Sequence, residues 1–133
     1  MKPITIGVSG TAETIVTEQN TAKAVGSGTL SVFATPMMTA LMEQAACAAV
    51  SAFLEAEETT VGTSLEIRHL AATPPGMRVT ASAEVTNICG RELMFHVTAS
   101  DASGVIGEGT HKRFLVQTPR FLAKAESRKE SQT

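Results

Sequence analysis

Three side chains have the type and setting for chemistry: Glu43, His69 and Thr35. Glu43 is the only charged residue between Lys23 and Glu55, and its neighbours are apolar. Burying a lone carboxylate is costly unless it is paired, hydrogen-bonded or protonated. A carboxylate held in such surroundings is a candidate general base, because desolvation makes it a stronger proton acceptor. The competing reading is a helix that leaves one narrow edge in water, with Glu43 simply solvated. His69 ends the alternation Leu65, Ile67, His69, so it shares a face with two apolar residues. An imidazole there can polarise a carbonyl or orient a water. It could equally be a core histidine bonded to backbone. Thr35 precedes Pro36, where capping of free helix N–H groups accounts for it and a catalytic hydroxyl is the other reading. Thr35 and Glu43 are separated by roughly 12 Å of helical rise. Contact within one chain therefore needs the Thr35 loop to fold back; otherwise the site combines two subunits. His96 falls on the polar side of its strand and is expected at the surface. No partner can be assigned to His111 in Gly109-Thr110-His111-Lys112-Arg113.

The elements that must position these groups are legible in outline. Thr35-Pro36 is a helix-start signal, and a helix is expected from about Pro36 to about Glu55. It is apolar almost all round, with Met38, Leu41, Ala45, Ala48 and Ala52 on one side and Ala40, Ala46, Cys47, Val50 and Leu54 on the other, which predicts a buried helix. Its alanines would let a sheet approach closely. Before it, Ile4 to Thr21 reads as weakly specified strands, and Gly26-Ser27-Gly28 as a loop. After it, strands are expected from Val61 to Leu70, from about Val79 to Thr86, from Leu93 to Ala99 and from about Val105 to Thr118. They are divided by the turns Thr73-Pro74-Pro75-Gly76, Cys89-Gly90 and Ala102-Ser103-Gly104. The expected fold class is α+β: an antiparallel sheet of about five strands against one long helix. One domain is expected over residues 1–122, with 123–133 as a charged, frayed tail.

Composition removes several function classes. The formal net charge is -2, from 11 Lys and Arg against 13 Asp and Glu, and Trp and Tyr are absent. Such a chain has neither the positive field nor the stacking platforms for nucleic acid. No signal-peptide pattern or membrane-length apolar run is present, so a cytoplasmic protein without membrane contact is expected. Cys47 and Cys89 lack metal-ligand spacing and are expected to pack in the core. Neither a phosphate-cradling glycine motif nor a Gly-x-Ser-x-Gly elbow occurs, so no nucleotide cofactor is implied and any hydrolysis would use water or a carboxylate as nucleophile. No metal or other cofactor is expected.

Three blocks taken together carry a family resemblance: VFATPMMTALMEQA from Val32 to Ala45, VGTSLEIRHLAATPPG from Val61 to Gly76, and GEGTHKRF from Gly107 to Phe114. In order and spacing they resemble the family of fluoroacetyl-CoA thioesterase. The resemblance implies a hotdog fold, in which the sheet wraps the long helix and two subunits pair edge to edge with sites at the interface. It implies an acyl-CoA substrate, a catalytic trio falling on Thr35, Glu43 and His69, and pocket-flanking positions falling on Gly62 and Arg113. Two departures bear on the substrate. The fluoroacetyl-selective member has aromatic residues gating the pocket before the helix, whereas Val25-Gly26-Ser27-Gly28-Thr29 has none, and Pro36-Met37 replaces a smaller, glycine-containing helix start. The expected activity is hydrolysis of a short-chain acyl-CoA by a homodimer. The alternatives are a non-catalytic acyl-CoA binding module, hydration of an enoyl thioester, and a structural dimerisation protein.

Overall fold

Val79, Ala81, Ala83 and Val85 alternate with exposed or half-buried polar residues. Leu93, Phe95, Val97 and Ala99 alternate with half-buried Met94, exposed His96 and half-buried Thr98, and the four apolar residues named first in each set are fully buried. These two strands are the floor of the core. The computed structural model describes residues 1–132. In chain order they form β1 (Ser9–Ile15), α1 (Ala22–Val25), α2 (Thr35–Val50), β2 (Glu58–His69), β3 (Arg78–Cys89), β4 (Glu92–Asp101), β5 (Gly104–Gln117) and α3 (Thr118–Ser127). The sheet has five strands in the order β1-β3-β4-β5-β2, every neighbouring pair antiparallel. The hairpin turns fall where glycine tolerates a positive φ, at Gly90 and Gly104.

The sheet holds α2 against its inner face through Met38, Leu41, Met42, Ala45, Ala46, Ala49 and Val50, all buried. Each fully buried Leu, Met or Val among them contributes roughly 1.5–3 kcal/mol relative to an exposed one. The approach is close: a Cβ built on Gly10 of β1 would overlap the helix backbone at Ala45 and Ala49. The alanine content of the helix is thus used as expected.

The helix is shorter and less enclosed than expected. It ends at Val50 and passes through a single 3-10 turn, Ser51–Phe53. Cys47, Ala48 and Ala52 are exposed and Ala40 is half-buried, so α2 buries one face and leaves a stripe of small side chains outward. Cys47 and Cys89 are both exposed rather than packed in the core. The weak strands expected between Ile4 and Thr21 reduce to β1, followed by α1, which Thr21 caps by accepting from the Ala24 amide at 3.2 Å. The last strand stops at Gln117. Pro119, near the start of α3, is compatible with a first helical turn, and the segment expected to fray is helical through Ser127 and 3-10 to Gln132. The end of that expectation, Thr133, lies outside the described residues.

β2 is irregular at one point. Its register against β5 shifts between Gly62 and Ser64, a β-bulge at Thr63. Without it, Gly62 and Leu65 would face opposite sides of the sheet. With it, Gly62 lies opposite Arg113, Leu65 opposite His111 and His69 opposite Gly107.

Candidate active site

Thr35 is the first residue of α2, and the capping position belongs to Ala34, which offers no side-chain bond. The capping explanation for Thr35 therefore fails. Its hydroxyl lies 2.7 Å from His69 Nδ1, joining the start of the helix to the end of β2. A Cβ on Gly107, across from His69, would meet the Met38 thioether, so the glycine lets this corner close. His69 is half-buried, as its alternation implied, and its Nε2 is buried with no hydrogen-bond partner among the described residues. Burial pulls its pKa below the ordinary 6.5, so the ring is neutral near pH 7.

This pair opens on a cleft of about 290 Å³ whose wall includes Val32, Phe33, Leu70 and Ala71. The lining is apolar apart from Ser27, Thr35 and His69. Such a surface suits an aliphatic group, with Thr35 and His69 as its polar features of chemical use.

Glu43 lies elsewhere. Its side chain is 37% exposed, and Oε2 accepts a hydrogen bond from Arg113 Nη1 at 2.9 Å. It is neither the desolvated lone carboxylate nor the simply solvated one weighed from sequence, but half of an ion pair on the edge of the core. Arg113 is nearly buried; its Nε donates to Thr60 Oγ1 and its Nη2 to the Thr60 carbonyl, both at 2.9 Å. A Cβ on Gly62 would overlap the Glu43 carboxylate and press on Arg113 and His111. Glycine at 62 thus leaves room for the carboxylate where it stands. In a single chain Gly62 and Arg113 support Glu43 and do not line the cleft.

From sequence His111 had no assignable partner, and Thr60 was not singled out. His111 is fully buried, stacked on Phe95 with ring centroids 5.9 Å apart, and its Nε2 is 3.8 Å from Glu43 Oε2. The available signal was period-two alternation, which sets His111 and Arg113 on one face of β5. His96 is exposed, as expected.

The residues thus form two clusters, one at each end of β2: Thr35 with His69, and Glu43 with Gly62, Arg113, His111 and Thr60. Gly62 and His69 are roughly 20 Å apart along an extended strand. No group of three or more His, Cys, Asp or Glu among the described residues is arranged to hold a metal ion.

In sequence and in fold the chain is similar to known proteins. The sequence model of a family described as fluoroacetyl-CoA-specific thioesterase matches residues 16–119. The fluoroacetyl-CoA thioesterase of Streptantibioticus cattleyicolor is 42% identical over 97 residues, covering 73% of this chain and 70% of that protein. A solved hypothetical protein of Thermus thermophilus, described as a thioesterase superfamily member, superposes with a TM-score of 0.91 at 32% identity, covering 98% of this chain and 97% of that one. A Thr-to-Ser mutant of the fluoroacetyl-CoA thioesterase, solved in complex with acetyl-CoA, superposes with a TM-score of 0.89 at 34% identity, covering 94% of this chain and 98% of that one.

Proposed function

The chain belongs to the fluoroacetyl-CoA-specific thioesterase family and is a thioester hydrolase, and on that premise we propose that it hydrolyses a short-chain acyl-CoA at sites shared between the two subunits of a homodimer. The observation that carries the shared site is the division of the chemical groups between the two ends of one edge strand. β2 is a 12-residue strand bonded to β5 on one side only. A long free edge is a template for pairing with a second chain. If two copies pair antiparallel through β2 about a twofold axis, the His69 end of each strand lies beside the Gly62 end of the other. Each composite site then holds Thr35 and His69 from one subunit and Glu43 with Arg113 from its partner.

In that site the acyl group occupies the apolar cleft and the thioester carbonyl lies between His69 and Glu43. Glu43 acts by one of two routes. It takes a proton from a water that attacks the carbonyl carbon, or it attacks that carbon itself to form an anhydride that water then hydrolyses. Either way the carbon–sulfur bond breaks and the CoA thiolate leaves, receiving a proton by way of His69. Thr35 fixes the plane of the His69 ring. Arg113 and the space at Gly62 fix the Glu43 carboxylate.

The lack of an aromatic side chain from Val25 to Thr29 supports a substrate other than fluoroacetyl-CoA, and the cleft accommodates a short aliphatic chain. No helix among the described residues is long and apolar enough to cross a membrane. Exposed free thiols at Cys47 and Cys89 are compatible with a reducing compartment, and we place the protein in the cytoplasm.

The test is free-thiol release from a panel of acyl-CoAs, acetyl through medium-chain and including fluoroacetyl, for wild type, Glu43→Ala and His69→Ala. Turnover of short acyl-CoAs that collapses in both variants is the expected result. Acyl-CoA binding without cleavage by the wild type would overturn catalysis and leave a binding module.

A further inference from the structure

His111 has no part in the trio above, yet it is the most deeply buried titratable side chain beside Glu43. Its Nδ1 is 2.8 Å from the Ser64 carbonyl, which can only accept, so Nδ1 carries the proton. Ser64 is the residue after the bulge at Thr63, where the register of β2 shifts against β5. The other ring nitrogen, Nε2, then holds a lone pair and accepts from Arg113 Nη1 at 3.2 Å. Arg113 Nη1 donates in the other direction to Glu43 Oε2. The guanidinium is thereby fixed at all three nitrogens: Nε and Nη2 by Thr60, Nη1 by His111 and Glu43. Glu43 Oε1 has no hydrogen bond among the described residues, so the carboxylate is gripped by one oxygen and presents the other.

We propose that His111 is a positioning residue for the hydrolysis, a neutral acceptor that orients Arg113 so that Glu43 is held through Oε2 with Oε1 turned to the thioester. This rests on the thioesterase reading for its kinetic consequence and on the hydrogen-bond geometry alone for its structural one. A protonated His111 would present two donors to a carbonyl and a cation, and burial keeps the ring in the neutral form by lowering its pKa. The bulge gains a purpose: it offers the Ser64 carbonyl to the ring. The stack on Phe95 fixes the ring plane.

The experiment compares His111→Asn with His111→Gln. Asn keeps a donor near the Nδ1 position for Ser64 but removes the acceptor facing Arg113. Gln places an amide oxygen where Nε2 was and restores that acceptor. In thiol release, Asn is expected to lower kcat by about 10²-fold, the scale for a misplaced catalytic group, with little change in KM. Gln is expected to recover most of that loss. Equal losses in kcat for Asn and Gln, in step with equal losses of thermal stability, would overturn the proposal and make His111 a core residue only. A second readout needs no turnover. The ring nitrogens of His111 and the guanidinium nitrogens of Arg113 are observed by 15N NMR, with a neutral Nδ1–H tautomer and separately resolved Nη1 and Nη2 signals expected in wild type. The two Nη signals should merge in Asn and remain distinct in Gln. A cationic ring, or an Arg113 rotating freely in wild type, contradicts the proposal even if no acyl-CoA is cleaved; a silent thiol assay with the expected spectra contradicts only the thioesterase reading.

Discussion

In the proposed site the Thr35 hydroxyl acts through a single 2.7 Å contact with His69 Nδ1, so its worth can be measured by deleting one group. Thr35→Val, which keeps the shape and removes the hydroxyl, should lower kcat roughly tenfold, the worth of one hydrogen bond, while Thr35→Ser stays closer to wild type in the same steady-state assay. Gly62→Ala drives a methyl into the space of the Glu43 carboxylate and should cost about 10²-fold in kcat, with circular dichroism showing the fold retained. His69 and His111 both have folded-state pKa values below the unfolded 6.5. The unfolded chain therefore takes up their protons first, so their contribution is intact above pH 6.5 and is lost as pH falls through the folded values. The thermal midpoint should drop on acidification below 6.5, and His111→Gln should flatten that drop. These residues were unequally legible in the sequence. An isolated carboxylate in an apolar helix has few explanations, so Glu43 stood out, whereas Arg113 was marked only by the family resemblance and not as its partner. Arg113 lies 70 residues later, and only the fold brings its guanidinium to the carboxylate. His69 was placed on the correct face by alternation alone. For Thr35, capping and chemistry make the same local pattern, and the structure separates them because Ala34 occupies the cap. His111 was illegible for a related reason: a buried histidine is defined by what it bonds to, and Ser64 reaches it through a bulge that no strand pattern announces.

At the level of elements, the close approach of α2 to β1 yields a prediction independent of function. Gly10→Val forces a branched side chain against the helix backbone at Ala45 and Ala49. It should destabilise the fold by about 1–3 kcal/mol in denaturant unfolding, the range for overpacked cores. β3, β4 and the turns around them were legible because strict alternation and glycine turns each have one physical meaning. The helix start was legible for the same reason. Its extent and enclosure were not, because alanine is at home on either side of a helix surface. Ala46 is buried and Ala48 exposed, yet nothing in residue type distinguishes them. The register of β2 depends on its partner β5, so the bulge at Thr63 and the pairing of Gly62 with Arg113 were beyond local pattern.

For the whole molecule, the arrangement of the groups is more informative than any one of them. A single chain carries a Thr–His pair with an apolar cleft at one end of β2 and an Arg-held carboxylate at the other. Neither end alone has both a proton-transfer group facing the cleft and a carboxylate to act on a carbonyl. Family membership accounts for the reaction class, and the free edge of β2 accounts for how the halves could meet. The most direct measurement is subunit complementation. His69→Ala and Glu43→Ala chains, each inactive as purified, are mixed in equal amounts, unfolded, refolded together and assayed for thiol release from a short acyl-CoA. A shared site leaves one of the two sites of each mixed dimer intact, so activity should return to about a quarter of wild type by the statistics of twofold assembly. A refolded mixture no more active than either variant alone, with mixed dimers present, would contradict a site built from Thr35 and His69 of one subunit and Glu43 of the other.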